Sequence, residues 1–424
     1  MSEHVFAGFG FGPIQAGLFA KEAFQSGNFR RIVVAEIDQR LVDAVRSNNG
    51  TYYANVAGSD GIETVRIDGV ELFDPTNSSD SAMLRAALAE ATEITTCLPS
   101  VNFFDSDPVN GVAALIADGL RHRTSNVTIV YAAENHNHAA EILEQAVTKK
   151  LRGALPPRVQ FLNTVIGKMS QVVNDPGEIP ERNLTPIAPG FDRAFLVEEF
   201  NHILVTRTTI PGFVPGIEVF IEKADLLPFE EAKLYGHNAI HALLGFIGLL
   251  KGYGKMTELK ADARVMRVAR DAFITESGGA LIRKHAGLGD ELFTKAGYRH
   301  YAEDLLERMT NPYLADTTAR AARDVVRKLG ANDRIYGTMA LALEHGIEPK
   351  NMAIGAMAGV ALLLAHPADY RLPRELHSLN WRTLDAHNLT QLLTHLWQAP
   401  ASPALRRLAD CTCNAGKSLA TLLA

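Results

Sequence analysis

The sequence predicts an α/β protein in two parts, an N-terminal domain with a doubly wound parallel sheet and a mostly α-helical C-terminal domain. Two observations lead to this fold class. Strand-like apolar segments alternate with helical patterns through about the first 190 residues, as in a parallel sheet with crossover helices. From residue 230 onward the apolar periodicity is helical almost throughout. We therefore expect domains at residues 1–190 and 191–424, with a proline-rich stretch after residue 151 near the edge of the first.

The first strand runs directly into glycines. Residues 5–12 form an apolar segment that contains Gly8, Gly10 and Gly12, and a helical pattern begins at Pro13. Glycines at such a turn let the backbone approach a pyrophosphate, whose charge lies against the N-terminus of the following helix. Gly8 and Gly10 align with the first two glycines of the fingerprint G-x-G-x-x-G, which leaves Pro13 at the third position. The unit predicts a Rossmann-like dinucleotide-binding domain.

The second strand ends in an acid at a position suited to cofactor recognition. Residues 31–36 are an apolar run closed by Glu36, a few residues beyond the usual interval of about twenty after the glycine loop. A carboxylate there accepts hydrogen bonds from the adenosine ribose hydroxyls and repels a 2′-phosphate, which favours NAD over NADP. The alternative is an acid that merely caps the strand end, and Asp38 is the second candidate for the ribose.

Two further strands end in polar or turn segments. Residues 93–98 are followed by Pro99, and residues 127–133 by Glu134 and Asn135. Open α/β sheets bind their ligands at the carboxyl ends of the strands. We therefore expect Pro99 to lie near the cofactor and Asn135 to lie near the nicotinamide.

Composition limits the class of partner. The chain of 424 residues is 47% hydrophobic and 21% charged, with a net charge of -6, as in ordinary globular proteins. This balance gives no sign of a nucleic-acid or bilayer partner. No apolar run approaches the roughly 18 residues of a membrane span, and the first four residues carry no basic leader. We expect a cytoplasmic protein, a monomer or a small homo-oligomer, that acts on a small molecule.

Metal sites are not indicated. His136 and His138 form a lone His-x-His without a third ligand at helical spacing, a pattern more typical of a polar loop. The cysteines are Cys97, Cys411 and Cys413, and the last two lack the spacing and partner pair of a zinc site. We expect free thiols and no bound metal.

The stretch with the most chemistry lies on a predicted helix over residues 230–251. At about 100° per residue, Asn238 falls about 140° and His241 about 80° around the helix from Lys233, on one broad face. Gly245, Gly248 and Gly252 continue that face and predict an open approach to the backbone. The alternative is an ordinary amphipathic helix with an exposed lysine, a buried amide and a core histidine.

These three side chains suit proton chemistry at an alcohol. A desolvated Lys233 has a lowered pKa and can take the hydroxyl proton during oxidation or return it during reduction. Asn238 can donate a hydrogen bond to the oxygen as charge builds on it, and Asn135 from the other domain is the candidate for a second donor. His241 is placed to bind a neighbouring hydroxyl or to orient the lysine.

A basic cluster follows in residues 317–334. Arg320, Arg323 and Arg327 are spaced at i, i+3 and i+7, on one face of a predicted helix, and Lys328 and Arg334 complete the set. One interpretation is a solvated face paired with the acids Asp316, Asp324 and Asp333. The other is an anionic ligand such as a phosphate, whose oxygens suit the guanidinium fork.

Five motifs, in the same order along almost the whole chain, resemble the polyol-specific long-chain dehydrogenases, the mannitol dehydrogenase family. They are Glu134-Asn135, Lys233 with Asn at +5 and His at +8, Glu276-Ser-Gly278, Asn311-Pro-Tyr-Leu-x-Asp316, and Arg327-Lys-Leu-x4-Arg334. The resemblance implies a Rossmann domain, a helical second domain, NAD and no metal. It assigns the catalytic lysine to Lys233, the oxyanion asparagines to Asn135 and Asn238, and a substrate-binding histidine to His241.

The resemblance also bears on the substrate. It places Arg323 on the helix that contacts substrate, and Arg327, Lys328 and Arg334 are similar to the basic set of the phosphate-using branch. This implies interconversion of a polyol phosphate, such as mannitol 1-phosphate, and its ketose phosphate. A free polyol or a hexuronate is the alternative substrate, and a catalytically silent NAD-binding regulator is the alternative of another class. Gly167 and Lys168 depart from the family pattern, because they stand where an Asp-Arg pair that shapes the substrate site is usual. This pair is either missing or replaced by Lys168, which is then expected to bind the substrate.

Overall fold

A computed structural model describes residues 4–424. The expected absence of a leader depends in part on residues 1–3, which lie outside the described residues. The chain divides into two units, Met1–Leu227 and Pro228–Ala424. Residue 190, the expected boundary, falls inside the first unit because residues 191–227 supply strands to its sheets.

The first unit is built on two sheets. Its strands are β1 (His4–Phe9), β2 (Phe29–Ala35), β3 (Tyr52–Ala57), β4 (Ile62–Ile67), β5 (Val70–Phe73), β6 (Glu93–Thr96), β7 (Thr128–Ala132), β8 (Val159–Ile166), β9 (Ser170–Val173), β10 (Ala194–Glu198), β11 (Ile203–Thr206) and β12 (Phe220–Lys223). The larger sheet has the order β12-β11-β8-β7-β6-β1-β2-β5, and the smaller one has the order β4-β3-β10-β9.

The larger sheet has the doubly wound order. From β8 to β5 every neighbouring pair is parallel, and β1 lies between β2 and β6. The chain therefore reverses its direction of winding beside β1, which creates a crevice at the carboxyl ends of β1 and β6 where such sheets bind ligands. The predicted Rossmann-like fold is confirmed.

Helices cover both faces of this sheet. The helices of the first unit are α1 (Lys21–Ser26), α2 (Gln39–Ser47), α3 (Ser78–Glu90), α4 (Val112–Arg121), α5 (Ala139–Leu151) and the short α6 (Glu178–Glu181), with a π turn at Gln15–Ala20 and a 3-10 turn at Val101–Phe103. Alternate residues of β2 enter opposite cores. Ile32 and Val34 pack on the face of α1 and α2, whereas Val33 and Ala35 pack on the face of α3, α4 and α5. This is the sequence pattern of a strand buried on both sides.

The second unit is helical, as predicted. Its helices are α7 (Leu227–Ala232), α8 (Ala239–Leu250), α9 (Met256–Leu259), α10 (Ala263–Asp271), α11 (Gly278–Lys284), α12 (Lys295–Met309), α13 (Thr318–Ala322), α14 (Val325–Lys328), α15 (Arg334–Glu344), α16 (Lys350–Ala365), α17 (Ala386–Trp397), α18 (Pro403–Asn414) and α19 (Gly416–Leu423). It also has π turns at Lys233–Asn238 and Ala272–Ser277, and 3-10 turns at Glu291–Phe293, Arg374–Leu376 and Trp381–Thr383. Across residues 4–424, no helix combines the length and apolar character that a bilayer crossing requires.

The central helix of this unit is α16, which is apolar nearly all round. Its glycines bring it close to α8: a Cβ added at Gly355 would lie 2.8 Å from Leu243, and one at Gly359 would lie 2.9 Å from Phe246. This contact anchors α8, so the residues that precede α8 are held on a rigid part of the unit.

Candidate active site

The glycine loop has a different register from the one expected. Gly8 lies inside β1, paired with Val34, whereas Gly10 follows the strand with φ +78° and Gly12 ends the turn. A continuous helix then begins at Pro13, where a proline's missing N–H costs no hydrogen bond. The layout of strand, turn and helix therefore favours Gly10-x-Gly12-x-x-Gln15 over the alignment on Gly8 and Pro13, because β1 extends through Gly8 to Phe9.

Gln15 takes the third position of this fingerprint, where a glycine usually lets the helix pack closely on the strand. Gly8 provides the room instead, since a Cβ there would lie 2.1 Å from Nε2 of Gln15. The Gln15 side chain is fully buried and its Oε1 accepts a hydrogen bond from Thr95 Oγ1 at 2.9 Å. The small residue that allows the helix and strand to pack closely is thus Gly8 on the strand, and not a glycine on the helix.

Glu36 lies at the end of β2 and holds the glycine loop. One carboxylate oxygen accepts the N–H of Phe11 at 2.7 Å, and the other accepts the N–H groups of Ile37 and Asp38 at 2.7 and 2.8 Å. A carboxylate offers about four acceptor sites, so one remains for another donor. Asp38 is occupied differently, because it caps α2 and pairs with Arg193 at 2.5 Å.

Glu134 joins the ends of β6 and β7. Its carboxylate accepts hydrogen bonds from Thr96 Oγ1 and from the N–H of Leu98, both at 2.9 Å. Burial raises the pKa of Glu134 to about 7, against the opposing effect of these two donors. Asn135 follows it on the surface, and Pro99 is exposed in the loop after β6. Glu134 was missed as a site residue, although its place before Asn135 in a family motif was a signal.

Lys233 and Asn238 are brought together by a π turn. The segment Lys233–Asn238 has π geometry, which interrupts the predicted continuous α-helix between α7 and α8. In an α-helix a residue lies above the one four positions earlier, whereas a π turn places it above the one five positions earlier. Asn238 therefore lies nearer to Lys233 around the helix axis than the separation of about 140° expected for α geometry.

The environment of Lys233 favours its neutral form. The side chain is partly buried, and its pKa is lowered to about 8, first by burial and second by the positive charge of Arg334. The nearby Glu230 carboxylate acts in the opposite direction. The amine can therefore exchange a proton near neutral pH, as a general acid or base must.

His241 is held by a carboxylate from the loop before α13. Its Nε2 lies 2.8 Å from Oδ2 of Asp316, which is buried, and Oδ1 of Asp316 accepts a hydrogen bond from Arg320 Nη1, also at 2.8 Å. Burial alone would raise the pKa of Asp316, but its bonds to His241 and Arg320 hold it at about 2. The motif 311–316 thus supplies a partner for His241.

The glycine face of α8 is not open to a ligand, contrary to expectation. A Cβ at Gly245 would lie 2.7 Å from Ala321, and one at Gly248 would lie 2.6 Å from Thr318. These glycines admit α13, and Gly252 lies beyond the end of α8. These small residues therefore allow α13 to pack closely on α8.

The basic cluster does not lie on one helix face. The predicted helix over residues 317–329 divides into α13 and α14, because Arg323 is extended and Asp324 is left-handed at φ +60°. Arg323 and Arg327 are exposed, with side-chain exposures of 71% and 52%, and Asp324 lies near both, 3.9 and 3.2 Å away. The i, i+3, i+7 argument for the three arginines was therefore wrong.

Lys328 and Arg334 form the buried part of the same cluster. Arg334 Nη1 pairs with Asp333 at 2.7 Å, and Lys328 Nζ donates to the carbonyl of Ala321 at 2.6 Å. Burial, followed by the charges of Arg334 and Arg327, lowers the pKa of Lys328 to about 8. Arg334 thus acts on both Lys328 and Lys233.

Lys168 is buried within the first unit. Its Nζ donates to the carbonyl of Phe200 at 2.8 Å and lies 3.3 Å from Oδ1 of Asn201. These contacts tie the turn between β8 and β9 to the segment before β11. A structural role accounts for Lys168, and its assignment to the substrate remains a prediction.

The motif Glu276-Ser-Gly278 supports the second unit. Glu276 caps α16 by accepting the N–H groups of Asn351 and Met352 at 2.7 and 2.8 Å. Gly278 leaves room for Tyr298, whose ring would lie 2.5 Å from an added Cβ. The motif therefore fixes the scaffold.

No cluster of three or more His, Cys, Asp or Glu side chains suited to a metal ion occurs in the described range, 4–424. His136 and His138 are exposed in the loop before α5. Cys97, Cys411 and Cys413 are free thiols.

Comparison with known proteins shows which proteins this chain resembles. Residues 225–368 match the family described as the mannitol dehydrogenase C-terminal domain. The chain is 28% identical to mannitol-1-phosphate 5-dehydrogenase of Buchnera aphidicola, over 82% of this chain and 84% of the relative. It is 27% identical to the enzyme of the same name from Brevibacillus brevis, over 90% and 92% of the two chains.

Two solved structures share the fold. Mannitol 2-dehydrogenase of Pseudomonas fluorescens, in a ternary complex with NAD and D-mannitol, aligns with a TM-score of 0.71 at 17% identity, over 99% of this chain and 93% of the other. A substrate-free D-sorbitol dehydrogenase aligns with a TM-score of 0.74 at 15% identity, over 97% and 94%. The resemblance predicted from the sequence motifs is confirmed: residues 225–368 match the mannitol dehydrogenase C-terminal domain, and over most of its length the chain is similar to mannitol-1-phosphate 5-dehydrogenases.

Proposed function

We propose that the protein is an NAD-dependent, metal-independent oxidoreductase that interconverts a polyol phosphate, similar to mannitol 1-phosphate, and the corresponding ketose phosphate. The observation that carries the reaction type is the π turn that joins Asn238 to Lys233, whose pKa is lowered to about 8. The relatives named mannitol-1-phosphate 5-dehydrogenase support the choice of substrate.

The residues around the glycine loop suit NAD. Gly10 makes the tight turn with φ +78°, and an added Cβ at Gly12 would meet no atom within 4 Å, so the backbone there is open to a pyrophosphate. The helix that begins at Pro13 directs its N-terminus to the same loop. Glu36 retains an acceptor site for a ribose hydroxyl.

In the proposed oxidation, neutral Lys233 accepts the proton of the substrate hydroxyl. Asn238 donates a hydrogen bond to the same oxygen as the carbonyl forms, and Asn135 is proposed as the second donor. Bound NAD would accept the hydride from the carbon. In reduction the lysine ammonium returns the proton to the oxygen. His241 is proposed to bind a neighbouring hydroxyl.

The basic cluster is proposed to bind the phosphate. Arg323, Arg327 and Arg334 share the two carboxylates of Asp324 and Asp333, and Lys328 adds a fourth positive charge near these groups. The lowered pKa of Lys328 reports repulsion within the set as well as burial, and a dianion relieves such repulsion. Guanidinium groups also bind phosphate oxygens in pairs.

The reaction is tested by following NADH absorbance with mannitol 1-phosphate, other polyol phosphates, free polyols and hexuronates. We expect turnover of polyol phosphates and a loss of about 10²- to 10⁴-fold in Lys233→Ala, with NAD binding retained. Lys295→Ala, which removes an exposed lysine, is the matched control. A wild-type protein that binds NAD but turns over nothing in this panel is a silent regulator, and the proposal then fails.

The phosphate assignment has its own test. Arg323→Gln and Arg327→Gln change exposed side chains and should preserve folding. We expect both to lower kcat/KM for the polyol phosphate while kcat/KM for the free polyol stays unchanged. Equal values for phosphorylated and free substrates in the wild type would instead assign the protein to free polyols, and a preference for hexuronates would assign the arginines to a carboxylate.

A further inference from the structure

His241 is engaged through only one of its two ring nitrogens. Nε2 lies 2.8 Å from Oδ2 of Asp316, while Nδ1 has no hydrogen-bond partner among residues 4–424. The side chain keeps 21% of its surface exposed. Nδ1 is therefore the ring atom that remains for a ligand.

Asp316 determines which nitrogen carries the proton. Its side chain is only 5% exposed, and Oδ1 is bound by Arg320 Nη1 at 2.8 Å and by the N–H of Thr317 at 2.9 Å. These donors keep the group ionised, and an ionised carboxylate can only accept hydrogen bonds. The Nε2 atom of His241 must therefore be the donor, so in the neutral ring Nδ1 is an acceptor.

We propose that Asp316, itself fixed by Arg320, is a positioning residue that locks the imidazole of His241 in one orientation and one tautomer, so that Nδ1 accepts a hydrogen bond from a hydroxyl of the substrate. The inference rests on the proposed function for the identity of the substrate. The acceptor at Nδ1 requires a ligand group that can donate a hydrogen bond. A polyol hydroxyl can donate one, whereas a ketone oxygen cannot. A fixed acceptor thus selects the substrate carbon beside the reacting one by its hydroxyl.

The local fold explains why this partner is stable. Asp316 ends the loop before α13, where its carbonyl accepts the N–H of Met256 at 2.9 Å, and Thr317 caps α13. Because α13 also packs into the glycines of α8, the element that carries Asp316 and the helix that carries His241 are fixed against each other. The pair is therefore preorganised before any substrate arrives.

The test combines a spectroscopic and a kinetic measurement on the full chain. The ring nitrogens of His241, labelled with 15N and assigned with a His241→Gln variant, should show a proton on Nε2 in the wild type and a changed tautomer in Asp316→Asn. The same variant should raise the KM for mannitol 1-phosphate about ten- to hundredfold, the worth of a hydrogen bond to a charged group, with a smaller change in kcat and unchanged NAD affinity. Asp369→Asn changes an exposed side chain and is the control.

Arg320→Gln provides a second variant in case Asp316→Asn does not fold. It leaves the carboxylate in place and should raise KM about threefold, since the arginine is partly exposed. A wild-type His241 protonated on Nδ1 alone, or an Asp316→Asn protein that keeps both tautomer and KM, overturns the inference. If the tautomer changes as expected but the wild type oxidises no polyol, the positioning stands and the proposed function fails.

Discussion

Lys233 and Asn238 are stacked by a π turn, because their separation of five residues matches the i→i+5 repeat of that turn. The turn frees carbonyls from the α-helical ladder, and neighbouring side chains bind them. The Thr338 hydroxyl shares its single proton between the carbonyl of Tyr235, 3.1 Å away, and that of Arg334, 2.5 Å away. The Tyr301 hydroxyl approaches the carbonyl of Ala232 at 3.5 Å. The π turn is thus supported by the helices around it.

The first prediction concerns this support. Thr338 is fully buried, so Thr338→Val removes the hydroxyl that the carbonyls of Tyr235 and Arg334 share and should cost about 1–3 kcal/mol of unfolding free energy. We also expect kcat to fall, because Asn238 shifts relative to Lys233. Urea denaturation and initial rates measure the two effects. Thr338→Ser keeps the hydroxyl and should resemble the wild type, and a Thr338→Val protein with wild-type kcat would contradict the role of the turn.

The second prediction is a pH profile. Oxidation requires Lys233 without its proton, so kcat/KM for a polyol should rise with pH and level off above a midpoint near the pKa of about 8. Because the charge of Arg334 lowers this pKa, Arg334→Gln should move the midpoint to higher pH. A free polyol is the substrate to use, since it does not depend on a phosphate contact. An unchanged midpoint would show that Arg334 does not act on the lysine.

Local patterns identified much of the candidate site, and their limits have physical causes. Residue type and spacing marked Lys233, Asn238 and His241 as one set. The sequence contains no sign of the π turn, because an angular count of about 100° per residue assumes α geometry throughout. The link between His241 and Asp316 spans 75 residues, and only tertiary packing brings the two together.

The fold class was predictable because buried parallel strands and amphipathic helices have distinct periods. The end of β1 was not, since pairing with β2 continues through Gly8 to Phe9 and shifts the glycine fingerprint. The break between α13 and α14 could not be predicted from the sequence either. Asp324 adopts a left-handed conformation at φ +60°, which few residues other than glycine favour.

The third prediction tests the packing of Gly8 against Gln15. In Gly8→Ala the new Cβ would lie 2.1 Å from Nε2 and 2.8 Å from Cδ of Gln15, so we expect a loss of about 1–3 kcal/mol of unfolding free energy. Gln15→Ala should recover part of this loss in the double variant, which a double-mutant cycle measures as a coupling of about 0.5–3 kcal/mol. Additive effects would refute the contact.

Gly12→Ala is the contrasting variant for the same loop. Its added Cβ meets no atom within 4 Å, so stability should be retained. NAD titration should nevertheless show weaker binding, because the methyl group occupies the place proposed for the pyrophosphate. Unchanged NAD affinity in Gly12→Ala would contradict that placement.

The fourth prediction concerns Glu134, whose buried carboxyl has a pKa raised to about 7 from an ordinary value of 4.5. Between these values the folded protein holds a proton that the unfolded chain has lost, so stability falls as pH rises through this window. The full difference corresponds to about 3 kcal/mol. Glu134→Gln cannot ionise, and its unfolding free energy relative to the wild type should therefore increase from pH 5 to pH 8. Urea titrations at both values, with Glu141→Gln as an exposed control on α5, measure it. A wild type and variant whose stabilities change in parallel with pH would show that Glu134 stays ionised, held by Thr96 and Leu98.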